Sequence, residues 1–405
     1  MSRNAPFVVA LVSGSHVVNH AYLLLFAPAF PLLGAEFGVP VAALGLAVGL
    51  VNAVVTAGQL PLGYVSDTYS HGAVLVGSLA VGTLGAALAA LASSYRGLLV
   101  AAAVMGAGVA GHHPAHYPLI SATVPDAYRS RAYSLHGFAG ALGLALPFAA
   151  VALGYGWRAA FGAIAALGAC YTVVAALAVW RLPREVARAG VVARDETGSA
   201  ADARSLGERF HAYLRTATTP LIVLLTALWF VNSAAAWGVR TYAATVLDAG
   251  YGLEAGTASL VASAMFVVGA VVLLGGGYLG DRVGPLPLLF AGYGSLVLSA
   301  GALSTALLPA VAAVGVVLLL AATIDLSRPA RATLTDVASE RRDVGKNFAL
   351  MTVGISAGGA VAPPLYGYVI DTASVEGAFL CIAATAGLAL GLSVAVARTP
   401  GETGG

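Results

Sequence analysis

Six of the eight histidines, His16, His20, His112, His113, His116 and His136, fall inside apolar runs long enough to cross a lipid bilayer. An ionisable ring in hydrocarbon is costly, so such residues face a bundle interior or a water-filled path, where they bind substrates or relay protons. His16 and His20 are four apart and share one helical face, and the same spacing joins His112 to His116. Counting about 1.5 Å per residue from the cytoplasmic ends of their helices puts His16 and His112 at similar depths, roughly 15 Å in, which lets them converge. The later part of the chain supplies Arg240, Arg328 and Arg331 in equivalent runs, against one acid, Asp325. Arginine grips a carboxylate or phosphonate through two parallel hydrogen bonds, and histidine, titrating at about 6.5, gains and loses a proton near neutrality. The cationic excess predicts a small organic anion as substrate, carried with protons.

Composition sets the medium in which these groups work. Hydrophobic residues are 59% of 405 and charged residues 9%, too little polar material to clothe soluble domains. The net charge of +2 carries no message about nucleic acid, because the basic residues are scattered among loops, and no nucleic-acid partner is expected. Cys170 and Cys381 lie far apart in apolar stretches and read as small buried residues, not a disulfide. The run after Arg3 is longer than a signal-peptide core and lacks a persuasive cleavage site, so a retained helix is expected.

Cuts at proline, glycine and charge clusters leave twelve apolar runs of bilayer-spanning length, near 7–33, 41–65, 73–93, 97–121, 132–154, 159–180, 218–247, 257–279, 285–307, 310–331, 347–370 and 376–397. Segments of that length are helices. The expected fold is an all-α polytopic membrane protein of twelve transmembrane helices in two pseudo-symmetric six-helix bundles. With both termini cytoplasmic, the outer connections hold only Arg96 and Arg158, while the basic residues of the other connections and of both terminal segments lie inside, a positive-inside bias. The polar interval between helices 6 and 7 divides the chain into bundles at 1–180 and 218–405 joined by a cytoplasmic linker at 181–217. Within the linker Ser205 and Glu208 make a capping box, and Leu206, Phe210 and Leu214 share a face, the pattern of an amphipathic helix on the inner leaflet.

The halves repeat at a shift of 214 residues. Gly63-Tyr64-Val65-Ser66-Asp67 recurs as Gly277-Tyr278-Leu279-Gly280-Asp281. Within a residue or so, Asn19 falls opposite Asn232, and His113-Pro114-Ala115-His116 opposite Arg328-Pro329-Ala330-Arg331. Gly137, Gly140 and Gly143 with Pro147 are echoed by Gly354, Gly358 and Gly359 with Pro363. Duplicated halves with equivalent polar positions place one site at the repeat interface.

On these residues the chain resembles the major facilitator superfamily along essentially its whole length. The stretch Gly277 to Gly284, with Asp281 and Arg282, is similar to that superfamily's signature between helices 2 and 3 of each half. In the first copy Ser70 and His71 stand where a glycine and a basic residue are usual. Gly137, Gly140, Gly143 and Pro147 resemble its motif for close packing of helix 5. A narrower resemblance, to the fosmidomycin-resistance branch, rests on Ser15-His16-Val17-Val18-Asn19, Pro28, Pro31-Leu32-Leu33, Pro61 through Tyr69 and His113-Pro114, with His20 standing where an acid is expected. The resemblance implies a secondary active transporter working by alternating access, with helices 1, 4, 7 and 10 lining the path. His16, Asn19, His20, His112, His113, His116, Asn232, Arg240, Asp325, Arg328 and Arg331 then belong to the substrate or proton path. Gly63, Asp67, Gly277, Asp281, Arg282 and Gly284 belong to gating.

The same residues have plainer uses. A buried histidine hydrogen-bonded across helices contributes about 1 kcal/mol without a transport role, the use expected of His136 near the mouth of helix 5. His71 and His211 are placed in loops and given no role. Arg328 and Arg331 at a helix end can snorkel, with Asp325 three positions from Arg328 as partner, and Arg240 can be interfacial. Rival functions follow from other residues: Trp229, Phe230, Trp237 and Tyr242 suit a broad drug exporter, and the paired histidines suit a metal carrier, although carboxylates and thiols are scarce and arginines repel cations. A non-transporting sensor is the third alternative. No Walker loop, zinc-protease signature or nucleophile elbow is present, so the expectation is neither enzyme nor ATP-driven pump, with no cofactor and no resident metal. The expected setting is the plasma membrane, with the chain multi-pass and monomeric.

Overall fold

The computed structural model describes residues 4–187, 220–338 and 344–399. Twelve long helices follow one another: α1 (Ala5–Leu23), α2 (Val41–Thr68), α3 (His71–Ala90), α4 (Tyr95–Thr123), α5 (Asp126–Ala152), α6 (Trp157–Arg181), α7 (Pro220–Thr245), α8 (Ala255–Val283), α9 (Pro285–Leu303), α10 (Ala310–Val337), α11 (Val344–Thr372) and α12 (Val375–Arg398). Eleven are long and apolar enough to cross a bilayer, and in α10 the corresponding apolar stretch is the shorter Ala310–Ile324. Asp325 and Arg328 follow it directly. Pro28 and Pro31 break the first crossing, which continues from α1 through a turn at Ala27–Ala29 into a short helix, Phe30–Phe37, closed by Gly38 at φ +61°.

Several helices run past the apolar stretches that announced them. α5 starts at Asp126, not near 132, because Pro125 fixes an extended entry and the polar residues after it continue the helix. This moves His136 ten residues into the helix. α3 opens at His71, which is buried and was expected in a loop. Ser70 caps α3, its hydroxyl accepting from the Ala73 N–H at 3.2 Å. One repeat later Gly284 caps α9 at φ +79°, a conformation L side chains avoid. The two copies of the loop therefore turn by different means, which explains why serine serves at position 70. The amphipathic helix expected at 205–214 and His211 lie outside the described residues, as does most of the 181–217 linker. Cys170 and Cys381, expected to be buried, are free and exposed on helix faces.

The first six helices pack into one bundle and the last six into another. α1 lies against α5 because α5 presents glycines there. A Cβ on Gly140 would strike the His16 ring, and one on Gly143 would strike the Val17 carbonyl and approach His20 Cβ to 2.9 Å. The bundles meet chiefly through α2 against α11 and α5 against α8. We call the face carrying the α6–α7 connection the terminal face and the opposite one the distal face. Near the distal face, backbone rests on backbone: a Cβ at Gly45 or Gly49 would lie 2.5 Å from the Pro363 or Ala360 carbonyl. The Tyr242 hydroxyl donates to the Pro363 carbonyl, and Ser263 Oγ donates to the Ala145 carbonyl at 3.0 Å. Asp371 of α11 accepts from the Val41 and Ala42 N–H groups at 2.9 and 2.7 Å. Since Pro40 offers α2 no side-chain cap, one bundle caps a helix of the other.

Asp371→Ala removes that cap, worth about 1 kcal/mol, from the first turn of α2. The expected result is a roughly fivefold faster labelling of a cysteine placed near the start of α2, in a chain lacking Cys170 and Cys381. Gly140→Ala overpacks the α1–α5 contact by about 1–3 kcal/mol. A lowered melting temperature in detergent checks it, with Gly162→Ala, where a Cβ meets open space, as the unaffected control.

Candidate functional site

The structure gathers all six intramembrane histidines into one cluster. His16 lies at its centre, with ring centroids 3.9 Å from His20, 4.0 Å from His136, 5.3 Å from His112, 5.6 Å from His113 and 5.5 Å from His116. Three helices supply the rings: α1 gives His16 and His20, α4 gives His112, His113 and His116, and α5 gives His136. Two nitrogen pairs touch directly, Nε2 of His16 with Nε2 of His20 at 2.8 Å and Nε2 of His116 with Nε2 of His136 at 2.9 Å. His16 Nδ1 bonds the His136 carbonyl at 2.8 Å and His20 Nδ1 bonds the Gly140 carbonyl at 3.0 Å. Both ring nitrogens of the fully buried His112 have no hydrogen-bond partner among the described residues.

Ring nitrogens of His16, His112 and His136, and of His16, His20 and His113, fall within 4.8 Å of one another, the spacing from which a transition-metal site is assembled. The second group as it stands does not fit one. Two nitrogens on a tetrahedral ion at about 2.0–2.1 Å sit about 3.3 Å apart, whereas the His16–His20 contact is 2.8 Å, the length of a hydrogen bond.

Beside the cluster, between the bundles, lies a cavity of about 660 Å³. It reaches the terminal face at Tyr64 and Asp67 of α2 and is closed toward the distal face, where the α2–α11 contact seals it. His20 and His113 open onto it from one bundle, Arg240, Arg331 and Asn232 from the other. Its further polar lining includes Asn52, Gln59, Thr56, Ser233 and Ser356, and its apolar lining includes Trp229, Trp237 and Phe266. Asp67 is the one acid among the described lining residues. Arg331 is buried and held in place: Nη1 donates to the Tyr293 hydroxyl and to Ser327 Oγ, both at 3.0 Å, and the guanidinium stacks 4.5 Å over Trp229. Asn232 Oδ1 is buried with no hydrogen-bond partner among the described residues.

The expected path residues divide into groups. His20, His113, Asn232, Arg240 and Arg331 line the cavity, while His16, His112 and His116 are buried behind His20 and His113. Asn19 is fully buried and off the cavity wall. The side chains of Asp325 and Arg328, like Gly277 and Asp281 of the second loop, lie outside the described residues. Of the first loop, Gly63 and Asp67 line the cavity mouth, and His71 Nδ1 sits 2.7 Å from Ser66 Oγ and 4.0 Å from Asp67. Ser66 also reaches, at 3.4 Å, the Pro114 carbonyl, which Pro118 deprives of its helical donor. Gly137 faces the other bundle, a Cβ there lying 3.2 Å from Leu273, and Pro147 is buried within α5. His136 was set aside by sequence reasoning and belongs to the cluster. The signal that finds it is the Pro125 break, which lengthens α5 and sets His136 about 15 Å deep. Asn52 and Gln59 of α2 were missed because the cavity also takes a wall from that helix.

A family model shows the family, and solved structures show the fold. The model described as Major Facilitator Superfamily matches residues 12–335 and 257–404. Among solved structures, a bacterial homolog to the human lysosomal transporter Spinster, inward-facing and unoccupied, is 14% identical with a TM-score of 0.79 and 98% of each chain covered. The xylose transporter XylE from E. coli, partially occluded and inward open, is 14% identical with a TM-score of 0.77 over 100% of each chain. The nucleoside transporter NupG, in a mutant form, is 11% identical with a TM-score of 0.75, covering 97% of this chain and 100% of that one. The twelve-helix, two-bundle architecture around a central cavity is the fold of these solved structures, and by the family model's match this chain belongs to the Major Facilitator Superfamily.

Proposed function

We propose that the protein is a secondary active carrier of a small organic anion, driven by protons and working by alternating access. The observation that carries this reading is the charge of the cavity wall: His20 and His113 on one bundle face a space shared with Arg240 and Arg331 on the other, with Asp67 the sole described acid, at the mouth. A carboxylate or phosphonate bound between them bridges the bundles, so its binding is sensitive to their rocking. The volume suits one small molecule. Arg331 is a preorganised anion clamp, since Tyr293, Ser327 and Trp229 fix its guanidinium before any ligand arrives. The positive-inside bias supports a cytoplasmic terminal face, and on that reading this conformation is inward-facing, with the cavity mouth open to the cytoplasm of a plasma-membrane protein. The 181–217 linker then joins the two moving bundles on that side.

A second reading has its own support. Trp229, Trp237 and Phe266 give the cavity an aromatic wall, which suits the lipophilic cargo of an exporter resembling the fosmidomycin-resistance branch. Competition separates the two: neutral lipophilic dyes displace a drug, and short carboxylates or phosphonates displace an anion.

The test is flux in proteoliposomes with an imposed pH gradient, using a panel of labelled carboxylates, phosphonates and drugs. Anion movement that follows the gradient is expected, and Arg331→Gln is expected to raise the half-saturating concentration about 10- to 100-fold, the loss of one charge-assisted bond of about 1.5–3 kcal/mol. Flux indifferent to the pH gradient, together with an unchanged Arg331→Gln variant, refutes the reading.

A further inference from the structure

A neutral imidazole carries one N–H and one lone pair. His16 Nδ1 bonds the His136 carbonyl and His20 Nδ1 bonds the Gly140 carbonyl. A carbonyl oxygen only accepts, so both Nδ1 atoms are donors. In the neutral state each ring is therefore left with a bare lone pair on Nε2. Those two Nε2 atoms face one another at 2.8 Å. Two lone pairs at that distance repel, and a single cation between them converts the repulsion into a short charge-assisted bond.

We propose that the His16–His20 pair is the binding site of the coupling proton. One proton from the cavity bonds to Nε2 of one ring and is accepted by the lone pair on the other, so the pair goes from neutral to a single positive charge and no other bond is made or broken. His20 lines the cavity and His16 lies behind it, which gives the proton an entry through His20. The second nitrogen pair differs: no partner among the described residues holds Nδ1 of His116, so His116 is free to protonate Nε2 and make a neutral N–H···N bond to His136. The fixed tautomers single out His16 and His20.

The surroundings limit the site to one charge. α4 presents His112, His113 and His116 to the pair, and α5 presents His136, stacked on His16 with an interplanar angle of 14°. From α6 the Tyr171 hydroxyl reaches the Leu11 carbonyl. Across the cavity stand Arg240 and Arg331, with Asp67 at its mouth. None of the histidines or arginines stabilises a second proton, whereas an anion in the cavity stabilises the first. Substrate occupancy and protonation thereby favour each other.

This inference rests on the proton-driven reading above, and its test separates the two. Histidine-labelled protein in lipid is examined by 15N magnetic resonance, and gradient-driven accumulation is compared with exchange at equal pH for wild type, His16→Gln and His20→Gln. Glutamine keeps a donor and an acceptor but cannot hold the extra proton. The expected spectrum shows two rings protonated at Nδ1 with mutually coupled Nε2 atoms, lost in either variant. The ratio of accumulation to exchange is expected to fall at least about tenfold in both. Accumulation that survives both substitutions, rings protonated at Nε2 in place of Nδ1, or stoichiometric zinc or nickel held by these nitrogens overturns the proton site. A wild type showing the coupled Nε2 pair but ignoring the pH gradient refutes the proton-driven reading and with it the pair's coupling role, whereas gradient-driven accumulation without the coupled pair refutes the proton site alone.

Discussion

A ring nitrogen deep in hydrocarbon has no water to turn to, so His16 and His20 need acceptors inside the protein for their Nδ1 protons. Here that demand falls on the backbone of α5. The carbonyls of His136 and Gly140 take the Nδ1 protons of His16 and His20, and they are within reach because Gly140 and Gly143 let α1 close on α5. Helix packing and ring chemistry are one arrangement: the glycines set the distance, the distance sets the tautomers, and the tautomers leave two lone pairs face to face. Without the glycines α1 would be held away, and the two carbonyls would no longer fix either ring.

The two bundles divide the labour. The first concentrates titratable rings, buried in layers behind a cavity wall of His20 and His113. The second contributes fixed cations, with Arg331 immobilised by a tyrosine, a serine and a tryptophan. A repeat that began with equivalent positions has come to hold a variable charge on one side and a permanent one on the other. That asymmetry suits a carrier whose affinity has to change with the protonation of one half while the other half keeps hold of the ligand.

Much of this was legible in the chain. Twelve apolar runs answer to the twelve long helices among the described residues, the 214-residue shift marked the two halves, and i to i+4 spacing put His16 with His20 and His112 with His116 on shared faces. What escaped notice did so for physical reasons. Hydropathy locates the hydrocarbon and says little about where a helix begins, so α5 was started too late and His136 was read as a mouth residue. Polar residues of α2 carry no periodic signal that tells a cavity wall from a bundle core, so Asn52 and Gln59 went unremarked. Asn19, matched to Asn232 by the repeat, turns away from the cavity that its counterpart lines. Tautomers depend on which carbonyl each ring meets, and that appears only when helices from distant parts of the chain lie side by side.

The distal seam between α2 and α11 is made of Gly45 and Gly49 against the Pro363 and Ala360 carbonyls. At those two positions α2 brings no side chain to the seam. Surfaces so smooth behave like a plain bearing: they can slide or part without any rotamer having to unhook first. On the alternating-access reading, resistance to opening is localised in discrete polar catches, the Asp371 cap and the Tyr242 and Ser263 hydroxyls, so the speed of the proposed rocking step is adjustable one catch at a time without redesign of the surfaces themselves.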